Sequence, residues 1–159
     1  MDPGEFEGHA EFVQRLNALV HEACERRLRR LVFIDPSFEG WPLESSALLQ
    51  SLTAFVREPG REVLLCGRGF ARLRHRSPRL VAWRRTWTRA VRGARPADPD
   101  LELPTRVLAD RALALAVHDR ATWTGEVRAD EPQVTRWMLE ADALAQRSVP
   151  DFAAYVVGL

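Results

Sequence analysis

The sequence predicts a single α/β domain, a mixed β-sheet flanked by helices on both faces. Three observations carry that prediction. Amphipathic stretches of helical period alternate with short apolar runs, the signature of strands covered by helices. The two apolar runs Leu31–Ile34 and Val63–Cys66 are short, continuous and closed by turn residues, as buried strands are. Between 111 and 127 the period switches from helical to alternating, which reads as a β-hairpin.

The elements follow in order. From Glu11 to Arg30, apolar Phe12, Leu16, Leu19, Val20, Ala23 and Leu28 fall on one helical stripe. The strand Leu31–Ile34 ends at Asp35-Pro36. Ser45 or Ser46 caps a second helix, whose Leu48, Leu52, Phe55 and Val56 share a face, and Pro59-Gly60 stops it. The strand Val63–Cys66 is broken by Gly67-Arg68-Gly69. Ser77 followed by Pro78 then opens a helix running through Gly93, with Leu80, Trp83, Trp87 and Val91 on one stripe. A linker from Pro96 to Asp100 follows, with a short strand expected near Leu101–Leu103. In the hairpin, Leu113, Leu115 and Val117 face one way and Ala112, Ala114 and Ala116 the other, both faces covered. His118-Asp119-Arg120 turns the chain into a return strand with Trp123, Gly125 and Val127 in phase. Asp130 and Gln133 form a capping box for a last helix striped by Val134, Trp137, Met138, Ala141 and Leu144.

The expected organisation is a flexible acidic N-terminus over 1–10, one α/β domain over 11–150 and an apolar tail over 151–159. That tail either packs as a further element or forms a dimer contact. A domain of this length buries roughly 68–70% of its unfolded surface, enough for a core. No apolar run is long enough to span a bilayer, and the acidic start does not read as a secretory signal, so a cytoplasmic protein without a membrane partner is expected. Cys24 and Cys66 are too few for a disulfide framework and read as reduced.

All 23 basic residues are arginine. The absence of lysine excludes a Walker phosphate loop, a Schiff-base enzyme and a Ser-Lys nucleophile, each of which needs a lysine. Ten of these arginines lie between Cys66 and Arg95, together with His75 and without a single Asp or Glu, in a chain whose net charge is only +1. Guanidinium forks suit phosphate and carboxylate. Arg68, Arg72, Arg74, Arg76, Arg84 and Arg85 are therefore the candidate ligand-binding residues for a polyanion or phosphate-bearing partner, nucleic acid included. The alternative is a solvated face whose arginines pair with Glu and Asp of neighbouring helices. Trp83 and Trp87, on the apolar stripe, read as core.

Cys66 and Arg72 have the Cys-x5-Arg spacing of phosphatases with a thiolate nucleophile, and the cysteine follows a buried strand. In that alternative Cys66 attacks and Arg72 clamps the oxyanion, as in a phosphatase or sulfurtransferase. The competing reading is a small buried apolar residue. Gly67-Arg68-Gly69 is not a dinucleotide fingerprint, since its third glycine would fall on Arg72. The four histidines have no metal-ligand spacing, and neither a metal nor a cofactor is expected. Asp35, Pro36 and Glu39 lie where open α/β sheets often bind ligands, although turn formation explains Asp35-Pro36 equally well.

The element order and the hairpin from Ala109-Asp110-Arg111 to Thr124-Gly125-Glu126 resemble one half of the phospholipase D-like fold. The resemblance covers about Phe12 to Pro150 and is nearest to catalytically degenerate bacterial forms, found alone or attached to acetyltransferase domains. Active members carry His-x-Lys, four residues, then Asp. With Asp119 as that aspartate, the histidine position falls on Ala112 and the lysine position on Ala114. Gly125 stands one residue early for the family glycine, and Glu126 replaces a small hydroxyl residue. The resemblance thus implies the fold without phosphodiester hydrolysis. An acetyltransferase pattern is absent, because its first residue would fall on Leu64.

Overall fold

The computed structural model describes residues 1–154. The chain forms β1 (Gly4–Phe6), α1 (His9–Glu25), β2 (Arg30–Asp35), α2 (Ser46–Val56), β3 (Glu62–Gly67), α3 (Phe70–Arg76) and α4 (Pro78–Thr86). Then come β4 (Val91–Pro96), β5 (Thr105–Ala109), β6 (Leu113–Asp119), β7 (Thr124–Ala129), α5 (Pro132–Gln146) and β8 (Ser148–Asp151). The eight strands make one open mixed sheet in the order β1-β7-β6-β5-β2-β3-β4-β8. Strands β2, β3 and β4 run parallel, and every other pairing is antiparallel.

The two faces are buried differently. Helices α1 to α4 cover one, packing Phe12, Leu16, Leu52, Phe55, Leu73 and Trp83 against Phe33, Leu65, Val107, Leu115 and Val127. The other face is covered by α5 alone, whose Val134, Trp137, Met138, Ala141 and Leu144 lie on Val32, Ile34, Leu64, Cys66, Leu108, Ala114 and Ala116. The alternation in β6 has this cause: its branched residues meet the four-helix face, and its alanines let α5 approach closely.

Several expectations are corrected. The stretch 1–10 is not a detached lead: Gly4–Phe6 pairs with β7 as an edge strand, and Phe6 is buried. A helix forms directly after Gly69, which takes the left-handed φ of 70° needed to turn the chain from β3 into α3. The helix expected to run through Gly93 ends at Thr86, and Val91–Pro96 is β4. Val91 and Trp87 are four residues apart, which imitates a helical stripe, yet the strand alternates buried and exposed positions across a pleat. At Gly93 a Cβ would lie 2.7 Å from the Asp151 carbonyl oxygen, so β8 pairs closely only because this residue is glycine. Leu101–Leu103 lies in a loop, and the strand begins at Thr105, beyond Pro104. The capping box does not form. Asp130 sits at φ 55° and turns its carboxylate to Arg26 at 2.8 Å, leaving Glu131 at the N-cap of α5.

The tail divides. Asp151 ends β8 and Phe152 is buried, whereas residues 155–159 lie outside the described residues. Among the described residues no helix is long and apolar enough to cross a membrane.

Candidate anion-binding face

Helices α3 and α4 are short, and their apolar residues are few: Phe70, Leu73, Leu80, Val81 and Trp83 point into the four-helix core. Arg72, Arg74, Arg76, Arg79, Arg84 and Arg85 fill most of the remaining polar positions, and neither helix carries a carboxylate. The N-terminus of α4 carries Pro78 at its first turn, and the free amides of Arg79 and Leu80 donate to the Glu44 carboxylate at 3.1 and 3.0 Å. Glu44 thereby serves the helix end, and the guanidinium of Arg79 remains without a partner among the described residues.

The six candidate arginines separate into three groups. Arg74, Arg84 and Arg85 grip the end of the chain: Arg74 Nη2 donates to the Ala153 carbonyl, Arg84 Nε to Phe152 O at 3.2 Å and Arg85 Nε to Ala154 O at 3.0 Å. Arg84 is 7% exposed, and burial, reinforced by neighbouring Arg74, lowers the pKa of its guanidinium. Arg68 and Arg76 donate to the loop carbonyls of Asp98 and Ser37, at 2.8 and 2.9 Å. Arg72 is exposed with no partner among the described residues. The first group is largely spent on structure, and the others present charge to water.

The expected alternative, a solvated face held by ion pairs, applies to only part of the arginine-rich segment. Arg92 meets Glu62 and Arg95 meets Asp151, both at 3.3 Å. Arg68, Arg72, Arg74, Arg76, Arg79, Arg84 and Arg89 have no carboxylate within salt-bridge distance among the described residues. Sequence reasoning grouped these arginines but left Arg79 and Arg89 out of the candidate set; their exposure and lack of partners become visible only in three dimensions.

The alternative nucleophile meets a different fate. Cys66 points to the α5 face, while α3, which carries Arg72, packs on the opposite side of the sheet. The thiol is 1% exposed, lies 3.8 Å from Ser148 Oγ, and burial pushes its pKa up. A thiolate nucleophile requires the reverse shift and access to substrate. Cys66 is expected to resist alkylation by iodoacetamide in the native protein and to react only on unfolding, with the half-buried Cys24 as the internal comparison. Rapid native modification of Cys66 at neutral pH would restore the nucleophile reading.

Asp35 closes the end of β2 nearest this face and is fully buried. Its carboxylate accepts the amides of Ser37 and Phe38 at 3.1 and 2.7 Å, the Thr105 hydroxyl at 2.5 Å and Nη1 of Arg120. Arg120 also donates to Glu39 O at 2.5 Å and lies 4.4 Å from the centre of the Trp123 ring. Every oxygen of Asp35 is engaged within the protein, so this carboxylate holds a turn and a hairpin together.

In the hairpin, Ala114 is fully buried beneath α5, and the Asp119 carboxylate accepts the Ala121 amide at 2.9 Å. Gly125 is required sterically, since a Cβ there would meet the Ala116 carbonyl oxygen at 2.1 Å. Arg128 first, with His118 adding to it, lowers the pKa of Glu126. Among the described residues no group of three or more His, Cys, Asp and Glu side chains could hold a metal ion.

No known family pattern matches the sequence, and no curated protein matches it. Solved structures do. Nuc from Salmonella typhimurium, a phospholipase D family member, superposes with a TM-score of 0.59 at 13% identity, over 94% of this chain and 99% of that one. The fold is phospholipase D-like. TrmBL2, an archaeal chromatin protein with a novel mode of DNA binding, superposes with a TM-score of 0.64 at 10% identity over 93% of this chain. This phospholipase D-like chain spans about half the length of TrmBL2, 53% of it. At such identities the likeness concerns the path of the backbone, and site residues must be argued from this chain alone.

Proposed function

We propose that this phospholipase D-like domain binds a polyanion, nucleic acid foremost, through the outer surface of α3 and α4, and that it does not hydrolyse phosphodiesters. The observation that carries the reading is that Arg72, Arg74, Arg76, Arg79 and Arg84 of α3 and α4 have no carboxylate partner among the described residues. Uncompensated guanidinium groups repel one another, and a phosphate backbone relieves that repulsion while releasing its condensed counterions. A DNA-binding protein among the structures sharing the fold supports the same reading. The non-catalytic part rests on Ala112 and Ala114 at the positions of the family's histidine and lysine, since two methyl groups can neither attack phosphorus nor neutralise its oxygens.

Association with fluorescent single- and double-stranded DNA and RNA, measured at two salt concentrations, tests the proposal. Binding should weaken steeply with salt, and the triple variant Arg68→Glu/Arg72→Glu/Arg76→Glu should bind roughly tenfold or more weakly with a shallower salt slope. The absence of salt-dependent association with any of these polymers would sink the polyanion reading. Turnover of a phosphodiester by the purified protein, abolished by a change in the β6–β7 hairpin, would sink the non-catalytic one.

A further inference from the structure

A groove between α2 and α4 gives that reading a more specific form. Its upper part is a concavity of about 460 Å³ lined by α2 residues Leu49, Gln50 and Thr53 together with Arg57 and Arg79. Its lower part, about 660 Å³, lies between the α2–β3 and α4–β4 loops and is lined by Arg57, Arg89 and Trp87. Arg57 lines both concavities, which adjoin at this residue, and Trp83 Nε1 donates to Thr53 Oγ1 at 3.0 Å, tying α4 to α2.

The chemistry along these concavities is uneven. Arg57, Arg79 and Arg89 are exposed, and none of their guanidinium groups has a partner among the described residues. Glu62, at the lower end, is already shared between Arg30 at 3.1 Å and Arg92 at 3.3 Å, which leaves Glu58 as the one lining carboxylate without an arginine partner among the described residues. Trp87 is half-buried against the core. Three cations without a partner among the described residues, lining two adjoining concavities with one tryptophan in the lower, match a strand whose phosphates repeat and whose bases can leave the stack. A duplex keeps its bases inside and gains nothing from such a tryptophan.

We infer that the α2–α4 groove is a binding track for single-stranded nucleic acid, with phosphates on Arg79, Arg57 and Arg89 and a base against Trp87. This rests on the polyanion reading above, and Arg57 separates the two because it lies outside the arginine-rich segment.

The test uses the full chain with a labelled single-stranded DNA oligonucleotide and the duplex of the same sequence. The single strand is expected to bind more tightly. Arg57→Glu should weaken it roughly tenfold and lower the salt slope by about 0.7 for each phosphate no longer neutralised. Trp87→Ala should weaken it by about five- to 140-fold, the range for loss of one base stack, while Trp87→Phe retains most of the affinity. Arg136→Glu, on α5 across the sheet, should bind like the parent. Thermal unfolding of each variant separates impaired binding from impaired folding, and if Trp87→Ala fails to fold, Arg57→Glu and Trp87→Phe decide. Parental affinity in Arg57→Glu, or equal affinity for duplex and single strand, overturns the groove. If the triple arginine variant still binds weakly in that case, the broader reading survives; if no polymer binds at all, both fall together.

Discussion

Asp35→Ala is expected to destabilise the domain by about 3–5 kcal/mol, the cost of stranding one member of a buried ion pair. The native carboxylate is fully buried and accepts two backbone amides, a hydroxyl and a guanidinium. Alanine removes all four acceptor interactions at once, leaving the Ser37 and Phe38 amides without a partner at the end of β2. Arg120 is the lesser part of the loss, because its side chain is one-third exposed and can turn to water. At about 2–4 °C per kcal/mol for a chain of this size, the melting temperature should fall by about 6–20 °C. Asp35→Asn should cost less, since an amide oxygen still accepts from the backbone. Urea unfolding followed by far-UV circular dichroism checks both variants, and a loss below about 1 kcal/mol for Asp35→Ala would show that the pairing is dispensable.

Phe12→Ala is expected to cost a comparable 3–5 kcal/mol, roughly the loss typical of large buried aromatics. Phe12 is fully buried, and its ring centre stands 4.5 Å from that of Trp123, 5.5 Å from Trp41 and 6.4 Å from Phe6. These partners come from the β6–β7 turn, the loop after β2 and the edge strand β1, so one ring on α1 joins three segments remote in sequence. Truncation should therefore loosen the two tryptophans as well as lower stability. Near-UV circular dichroism of the variant should lose tryptophan fine structure under conditions where the far-UV signal persists. An unchanged near-UV spectrum would argue against this hub.

Much of the fold was legible from periodicity. The stripes of α1, α2 and α5 and the runs of β2 and β3 are long or apolar enough to identify themselves, and Ala114 and Ala116 lie buried on one face of β6 as their pattern put them, whereas Ala112 precedes the strand and packs against the opposite cluster. Three of the strands that escaped, β1, β4 and β8, lie at or next to a sheet edge, whereas the central β5 was expected four residues early, before Pro104. Strand β8 contains Pro150, which argues against a strand anywhere except an edge. Strand β4 carries Arg92 and Arg95 on a half-exposed pleat, and β1 spans three residues among acidic neighbours. The arginine-rich segment was legible as composition, but its division was not. That Arg74, Arg84 and Arg85 bind carbonyls of residues 152–154 while Arg72 and Arg79 stay unpartnered among the described residues depends on where β8 ends, which no local pattern encodes.

The pairing of β1 also sets an order in time. Gly4–Phe6 hydrogen-bonds to residues 125–127, so this strand must wait for its partner until most of the sheet has been synthesised. Closing so long a loop is entropically slow, and until it closes Phe6 and the far edge of the hairpin remain open to water. The nascent chain therefore passes through a stage in which its parallel centre can already assemble while one flank stays unsealed, the interval in which a chaperone or a stray strand would find it.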